Sequence, residues 1–415
     1  MAFEFPKGFA WGTATAAHQV EGNNVNSDFW LLENTPGTLF QEPSGDAVDH
    51  FHRYPQDIAL LKQLGFGAYR FSIEWARIEP EEGKFSLAAL DHYRRMIACC
   101  LEHDVQPCVT FHHFTSPRWF TADGGWEDIG NVDRFLRYCE RAVAHLGDLI
   151  HTAYTINEAN LMATLAAAKV LPAAGFKAVA PSVTESARLC GTTLDRFGPF
   201  FLGQPLKIRD TMLAAHVRAR DVLKSGPGKF QVGVTLAMQD YQAVPGGEKH
   251  RDKARAESFD PFLEAAQKDD FVGVQTYSRH RFGPDGVLPS EDGVEVLIMG
   301  YEFWPEAIGA TVRYAAEKAR VPIYVTENGI GTTNDNQRLE YERRALTAVA
   351  KCIEDGIDVR GYFYWSLMDN FEWLFGYGPQ FGIVGVDRTT QMRTPKASAY
   401  WLGKIARANR FEPQT

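Results

Sequence analysis

The chain has 415 residues, 45% hydrophobic and 13% aromatic, with 43 basic against 52 acidic side chains and a formal charge of −9. A net acid without blocks of like charge has no electrostatic reason to hold a polyanion or an anionic membrane surface, and its apolar content excludes disorder. At roughly 150 residues per domain this length means two or three domains, or one α/β barrel, which runs past about 400 residues as a single unit.

In chain order, GFAWGTATAA (8–17) mimics a short signal segment. It carries only Lys7 against Glu4 and no long aliphatic run, so it reads as mature protein and implies the cytoplasm. From there short β-rich runs alternate with amphipathic ones whose apolar residues recur at three and four. WGTATAA (11–17) precedes the helical YPQDIALLKQLG (54–65), which ends at Gly65, a helix C-cap. AYRFSI (68–73) precedes SLAALDHYRRMIACCLEH (86–103), and QPCVTF (106–111) precedes NVDRFLRYCERAVAHLGDL (131–149). TAYTI (152–156) runs toward LMATLAAAKVLPAAGFKAVAP (161–181), which Lys169, Pro172 and Lys177 interrupt too often for a bilayer span. The stretch 170–205 has the least clear period and reads as a loop or lid over the site, or as scaffold. FQVGVTLA (230–237) follows, then RDKARAESFDPFLEAAQKDD (251–270), whose two-signed charge marks a solvated helix face. FVGVQ (271–275), IYVTE (323–327), the helical NQRLEYERRALTAVAKCIEDG (336–356) and GYFYWS (361–366) complete the rhythm.

Eight strand-and-helix units predict a closed (β/α)8 TIM barrel with elaborated βα loops, residues 1–415 forming one catalytic domain. An open doubly wound sheet would carry a glycine-rich phosphate loop after its first strand. Here that strand runs into HQVEG, and GYGPQFG (376–382) has the wrong spacing, so nucleotide binding has no support. The cysteines (99, 100, 108, 139, 190 and 352) include no C-x-x-C and read as reduced, mostly buried thiols. His50 and His52, near Asp46 and Asp49, lack a distant third ligand and read as solvated or hydrogen-bonded side chains. His112 reads as structural. Neither a metal nor a cofactor is expected.

In such a barrel the chemistry collects at the C-terminal strand ends. The residues there are His18 and Gln19; Glu74 and Trp75; His112 and His113; Asn157 and Glu158; Gln239 and Asp240; Tyr277; Glu327 and Asn328; and Trp365, with Glu372 and Trp373 beyond. Arg70 lies inside the second strand, where its charge demands a partner. Taken singly, TENG (326–329) is an Asn-Gly turn, and TINEA (155–159) is a strand running into a helix capped by Asn157. Together they set Glu158 and Glu327 over one barrel mouth. Two carboxyls across a pocket rich in Trp, Tyr, amides and imidazoles suit glycoside hydrolysis: one stays protonated for the leaving oxygen, the other ionised for the anomeric carbon. Aromatic faces stack on the C–H face of a pyranose.

FPKGFAWGTATAAHQVEG, YRFSIEWARIEPEEG, TINEA, VTENG, WSLMDNFEW and RTPKASAYW stand in that order along nearly the whole chain. In these motifs the sequence resembles family 1 of the retaining β-glycosidases, the β-glucosidase family. The resemblance implies Glu158 as acid/base, Glu327 as nucleophile and Asn157 as the amide on the sugar 2-hydroxyl. It implies that Arg70 and Tyr277 orient the nucleophile, the guanidinium keeping the pKa of Glu327 low. It further implies Gln19, His113, Glu372 and Trp373 as ligands of the outer hydroxyls and Trp365 as the aromatic floor. Tyr301 stands for an aromatic on the leaving-group side.

The chain departs from the family where Ala159 replaces a proline, where His113-Phe114 replaces His-Trp, and where Gln275-Thr276-Tyr277 replaces Asn-Tyr-Tyr. These changes bear on substrate preference rather than reaction type. Glu372 would repel a 6-phosphate, which favours a neutral sugar. The expected partner is a small β-glycoside, chiefly a β-glucoside with β-galactosides and β-fucosides as further glycones, and neither nucleic acid nor membrane. The alternatives are a transglycosylating member of the same family and a non-catalytic sugar-binding relative; the latter is expected to lack one of the two carboxylates.

Overall fold

The computed structural model describes residues 2–170 and 181–412. Eight parallel strands close into a barrel: β1 (Ala10–Ala14), β2 (Ala68–Ser72), β3 (Gln106–Thr110), β4 (Thr152–Tyr154), β5 (Gln231–Ala237), β6 (Phe271–Gln275), β7 (Ile323–Asn328) and β8 (Val359–Trp365). The seam joins β8 to β1, with Gly361 beside Ala10 and Trp365 beside Ala14. The principal helices alternate with them: α1 (His50–Leu64), α2 (Leu87–Glu102), α3 (Val132–Leu146), α4 (Pro205–Ser225), α5 (Glu248–Ser258), α6 (Ala307–Ala319), α7 (Asp335–Glu354) and α8 (Ala397–Ala408). This is the (β/α)8 architecture expected from the sequence rhythm.

The strands are legible as apolar runs because both of their faces are covered. Every residue of β2, β6 and β7 is buried. The helices bury one stripe each: on α3 Val132, Phe135, Tyr138, Cys139, Ala142, Val143 and Leu146 turn inward. Each fully buried large apolar side chain contributes roughly 1.5–3 kcal/mol, so a face of this kind anchors its helix without help from intrinsic propensity. Gly65 ends α1 at φ 109°, and a Cβ there would meet the Gly403 carbonyl oxygen at 2.7 Å.

Two boundaries differ from the sequence expectation, and both matter for the site. The first strand stops at Ala14, because Ala17–Glu21 winds into a single turn carrying His18 and Gln19. The fourth stops at Tyr154, leaving Asn157 and Glu158 on the loop beyond it. Within 170–205, Pro181–Leu189 is helical and Phe200–Leu202 forms a 3-10 turn; residues 171–180 lie outside the described residues. The charged stretch 251–270 exposes its polar side and buries Ala254, Ser258, Phe262 and Leu263.

Short strands outside the barrel have no counterpart in the sequence reading. Phe3–Glu4 pairs with Arg410–Phe411, Val384–Asp387 with Met392–Pro395, and Asp240–Ala243, Arg279–Gly283 and Gly286–Val287 form a three-stranded sheet. All six cysteines are free, and all but Cys190 are buried. His50 is held by Asp57 at 2.8 Å and Tyr69 at 3.1 Å, as a hydrogen-bonded core histidine. No helix among the described residues is long and apolar enough to cross a membrane.

Candidate active site

The C-terminal strand ends open on a cavity of about 490 Å³, and His113, Glu158, Tyr277, Tyr301, Glu327, Trp365, Glu372 and Trp373 all line it. Gln19 and Arg70 stand behind that wall and hydrogen-bond to Glu372 and Glu327 in it, and Asn157 is tied to it through Arg70.

Glu327 lies within β7. One of its carboxylate oxygens accepts from Arg70 Nη1 at 2.6 Å and the other from the Tyr277 hydroxyl at 2.7 Å. Arg70, fully buried in β2, donates its second nitrogen to Asn157 Oδ1 at 2.5 Å, and its guanidinium lies 5.0 Å from the Tyr154 ring centre. The buried charge has therefore found the anionic partner that its desolvation requires. Asn157 Oδ1 also accepts from Gln275 Nε2 at 2.9 Å and Thr235 Oγ1 at 3.3 Å. With its oxygen so engaged, the Asn157 amide nitrogen is a buried donor with no partner among the described residues.

Glu158 is placed differently. Its backbone adopts φ 44°, in the left-handed region, and its N–H donates to Thr235 Oγ1 at 3.2 Å. No described residue donates a hydrogen bond to its carboxyl. Burial first, and then the charge of Glu327, push its pKa well above the usual carboxylate range. Glu327 is raised as well: burial outweighs the opposing Arg70 charge and the Tyr277 hydrogen bond. That corrects the expectation of a low pKa for Glu327, since two donors replace only part of the hydration lost. Of the two groups, Glu158 is the harder to ionise, because among the described residues only Glu327 has donors for its charged form.

At the outer end Gln19 Nε2 donates to the Phe371 carbonyl at 2.7 Å, Asn370 Oδ1 at 3.2 Å and Glu372 Oε2 at 3.3 Å, leaving its own Oε1 buried and unpartnered. Burial, and then the charge of Glu327, push Glu372 up to about 8. His113 Nδ1 is likewise unpartnered, and burial holds the ring neutral by carrying its pKa well below the ordinary value. That ring lies 5.9 Å from Trp365 and 6.1 Å from Trp373, nearly parallel to both. Phe114 stacks on Phe200 at 5.2 Å and sits 4.9 Å from Phe201 and 5.2 Å from Trp373.

The single-motif readings of TINEA and TENG give way to these contacts. The helix after Glu158 starts at Leu161 with Asn160 at its N-cap, so Asn157 caps nothing. Asn328 stays in β7, donating to the Thr276 carbonyl at 2.6 Å and accepting from the Tyr362 hydroxyl at 2.8 Å, which ties β6, β7 and β8 together. The N–H freed at Ala159 donates to the Thr235 carbonyl at 3.3 Å, a bond a proline could not make. Among the residues not foreseen are Thr235 and Gln275, which brace Asn157, and Phe201, Leu161 and Leu165 in the wall. The four-residue spacing of the two leucines beside TINEA and the departure at Gln275 were the signals the sequence carried. No group of metal-ligating side chains occurs among the described residues.

A buried acid that keeps its proton beside an ionisable, well-oriented carboxylate can protonate one oxygen while a nucleophile faces the adjacent carbon. Unpaired amide and imidazole atoms and indole faces around it suit a ring bearing many hydroxyls.

Comparison with known proteins points the same way. The sequence profile of glycosyl hydrolase family 1 matches residues 1–281 and 288–411. The beta-glucosidase A of Thermotoga maritima is 31% identical over 467 aligned positions, covering 99% of this chain and 99% of its own. The bifunctional beta-D-glucosidase/beta-D-fucosidase of Bifidobacterium breve is 32% identical over 477 positions, 98% of each. Among solved structures, beta-glycosidase BGL167 superposes with a TM-score of 0.94 at 52% identity, covering 99% of both chains.

Proposed function

The chain belongs to glycosyl hydrolase family 1, and from that premise we propose that it is a retaining β-glycosidase. It releases the terminal non-reducing β-D-glucosyl residue of small β-glycosides, with β-galactosyl and β-fucosyl residues as further glycones. The observation that carries this reading is the asymmetry of two buried glutamates on one cavity: Glu327 held by Arg70 and Tyr277, Glu158 without a donor among the described residues.

In the first step the Glu327 carboxylate attacks the anomeric carbon as the glycosidic C–O bond breaks. Glu158 passes its proton to the leaving oxygen, so the aglycone departs as a neutral alcohol. Forming the ester removes the negative charge of Glu327, and with it the repulsion that kept Glu158 protonated. Glu158, now a carboxylate, takes a proton from water as the water oxygen attacks the same carbon. The ester bond breaks, both glutamates return to their starting states, and the two inversions give net retention.

Asn157 Nδ2, Gln19 Oε1 and His113 Nδ1, three buried atoms without partners among the described residues, suit the sugar hydroxyls. The Trp365 and Trp373 indoles suit its C–H face. Residues 1–415 act as one catalytic domain in this reading. A cytoplasmic location is part of the proposal, supported by six unpaired thiols.

Proton NMR of the first product formed from a β-glucoside tests the mechanism. Release of β-glucose ahead of mutarotation is expected, and α-glucose appearing first would overturn it.

A further inference from the structure

Sugar recognition does not account for one wall of the cavity. The helix Leu161–Ala167 begins directly after Glu158, and Leu161, Thr164, Leu165 and Ala168 line the cavity together. Spacings of three, four and seven place these four residues on one helical face. No group on that face is free to bind a hydroxyl, since the Thr164 hydroxyl is engaged by the Asn160 carbonyl at 3.2 Å. Met299 and Tyr301 join the lining from the loop after β6. That loop is pinned by the buried Arg279–Glu302 ion pair at 2.5 Å, with the guanidinium 3.5 Å from the Trp304 ring centre.

An acid that protonates the glycosidic oxygen stands beside the departing group. The surface continuing from Glu158 along the helix that follows it therefore meets the aglycone, whereas the glycone is met by Asn157, His113, Gln19 and Glu372. We propose that the Leu161–Ala167 face selects an apolar aglycone, an aliphatic or aromatic alcohol, over a second sugar. This rests on the retaining β-glycosidase reading. Hydrocarbon laid on this face gains roughly fourfold in affinity per buried methylene. A pyranose laid there buries hydroxyls that have no partner.

The test compares initial rates of glucose release by the full chain from methyl β-D-glucoside, hexyl β-D-glucoside and cellobiose. All three release an unactivated aliphatic alcohol, and the slightly more acidic sugar hydroxyl would favour cellobiose, so a higher kcat/KM for the hexyl glucoside reports the aglycone contacts rather than leaving-group acidity. The hexyl glucoside should exceed both others by about tenfold or more. Cellobiose turned over as well as the hexyl glucoside would overturn the inference while leaving the glycosidase reading intact. Glucose released from none of the three, nor from an aryl β-glucoside, would overturn both. Leu165→Gln should reduce the hexyl-to-methyl ratio by about tenfold. An unchanged ratio in that variant would remove the assignment to this face, and the wild-type order stands as evidence whether or not the variant folds.

Discussion

The loop after β4 and the end of β7 bring the same side chain, a buried glutamate, to one cavity in contrasting company. Glu327 accepts hydrogen bonds from a guanidinium and a phenol. Glu158 receives none from the described residues, and is fixed instead through its backbone, by the Thr235 hydroxyl. Burial raises both carboxyls, so desolvation alone cannot separate their roles. What separates them is whether donors exist for the charged form. In the proposed mechanism one residue type thus serves as acid or as nucleophile according to its neighbours.

That contrast can be broken from either side. Removing the carboxylate in Glu327→Ala should lower kcat/KM by about 10⁴-fold or more. Azide should restore part of the turnover and give an α-glycosyl azide; undiminished activity without azide would refute the nucleophile role. Glu158→Ala should cost about 10²–10⁴-fold, most with poor leaving groups, and should erase the basic limb of the kcat/KM profile. A basic limb that survives would assign the acid elsewhere. The coupling between the two groups has its own readout: in Glu327→Gln the like charge is gone, so the Glu158 titration followed by NMR should move to lower pH.

The next variants sharpen the comparison instead of breaking it. Tyr277→Phe removes a hydrogen bond to a charged group, worth about 1.5–3 kcal/mol, and should lower kcat/KM by roughly 10- to 100-fold. The sign of the pH effect follows directly. The Tyr277 hydrogen bond lowers the pKa of Glu327 by favouring the carboxylate, so its loss raises that pKa and shifts the acid limb to higher pH. An acid limb that stays in place would show that Arg70 alone sets the ionisation. The smallest effect is expected from Thr235→Val, which leaves the Glu158 N–H unpaired and should cost about 1–2 kcal/mol in thermal unfolding. An unaltered Tm would mean that Glu158 keeps its left-handed backbone without that hydroxyl.

Much of the barrel was legible because its strands are buried on both faces and read as continuous apolar runs. The same burial explains why Arg70 stood out: a guanidinium inside such a run requires an anion. Glu158 was assigned from motif resemblance, yet its position on a loop beyond a shortened β4 was not visible, since loop backbone carries no period. Gln275 reads in sequence as a departure beside Tyr277, but its amide reaches Asn157 across the barrel at 2.9 Å. Phe201 gave no signal at all, because it enters the cavity wall from a stretch without clear periodicity.

The sequence by itself determined the alternation of strands and helices, the closed barrel, the family resemblance and the residues gathered at the strand ends. Each of these depends on periodicity or on short contiguous motifs, which local chain geometry writes into the order of residues. Only the tertiary structure decided which glutamate has donors for its charged form, which amide and imidazole atoms lack a partner among the described residues, and that one face of the Leu161–Ala167 helix is apolar wall. Those properties arise from desolvation and from donors supplied by strands far apart in the chain, and such terms act through space rather than along the sequence.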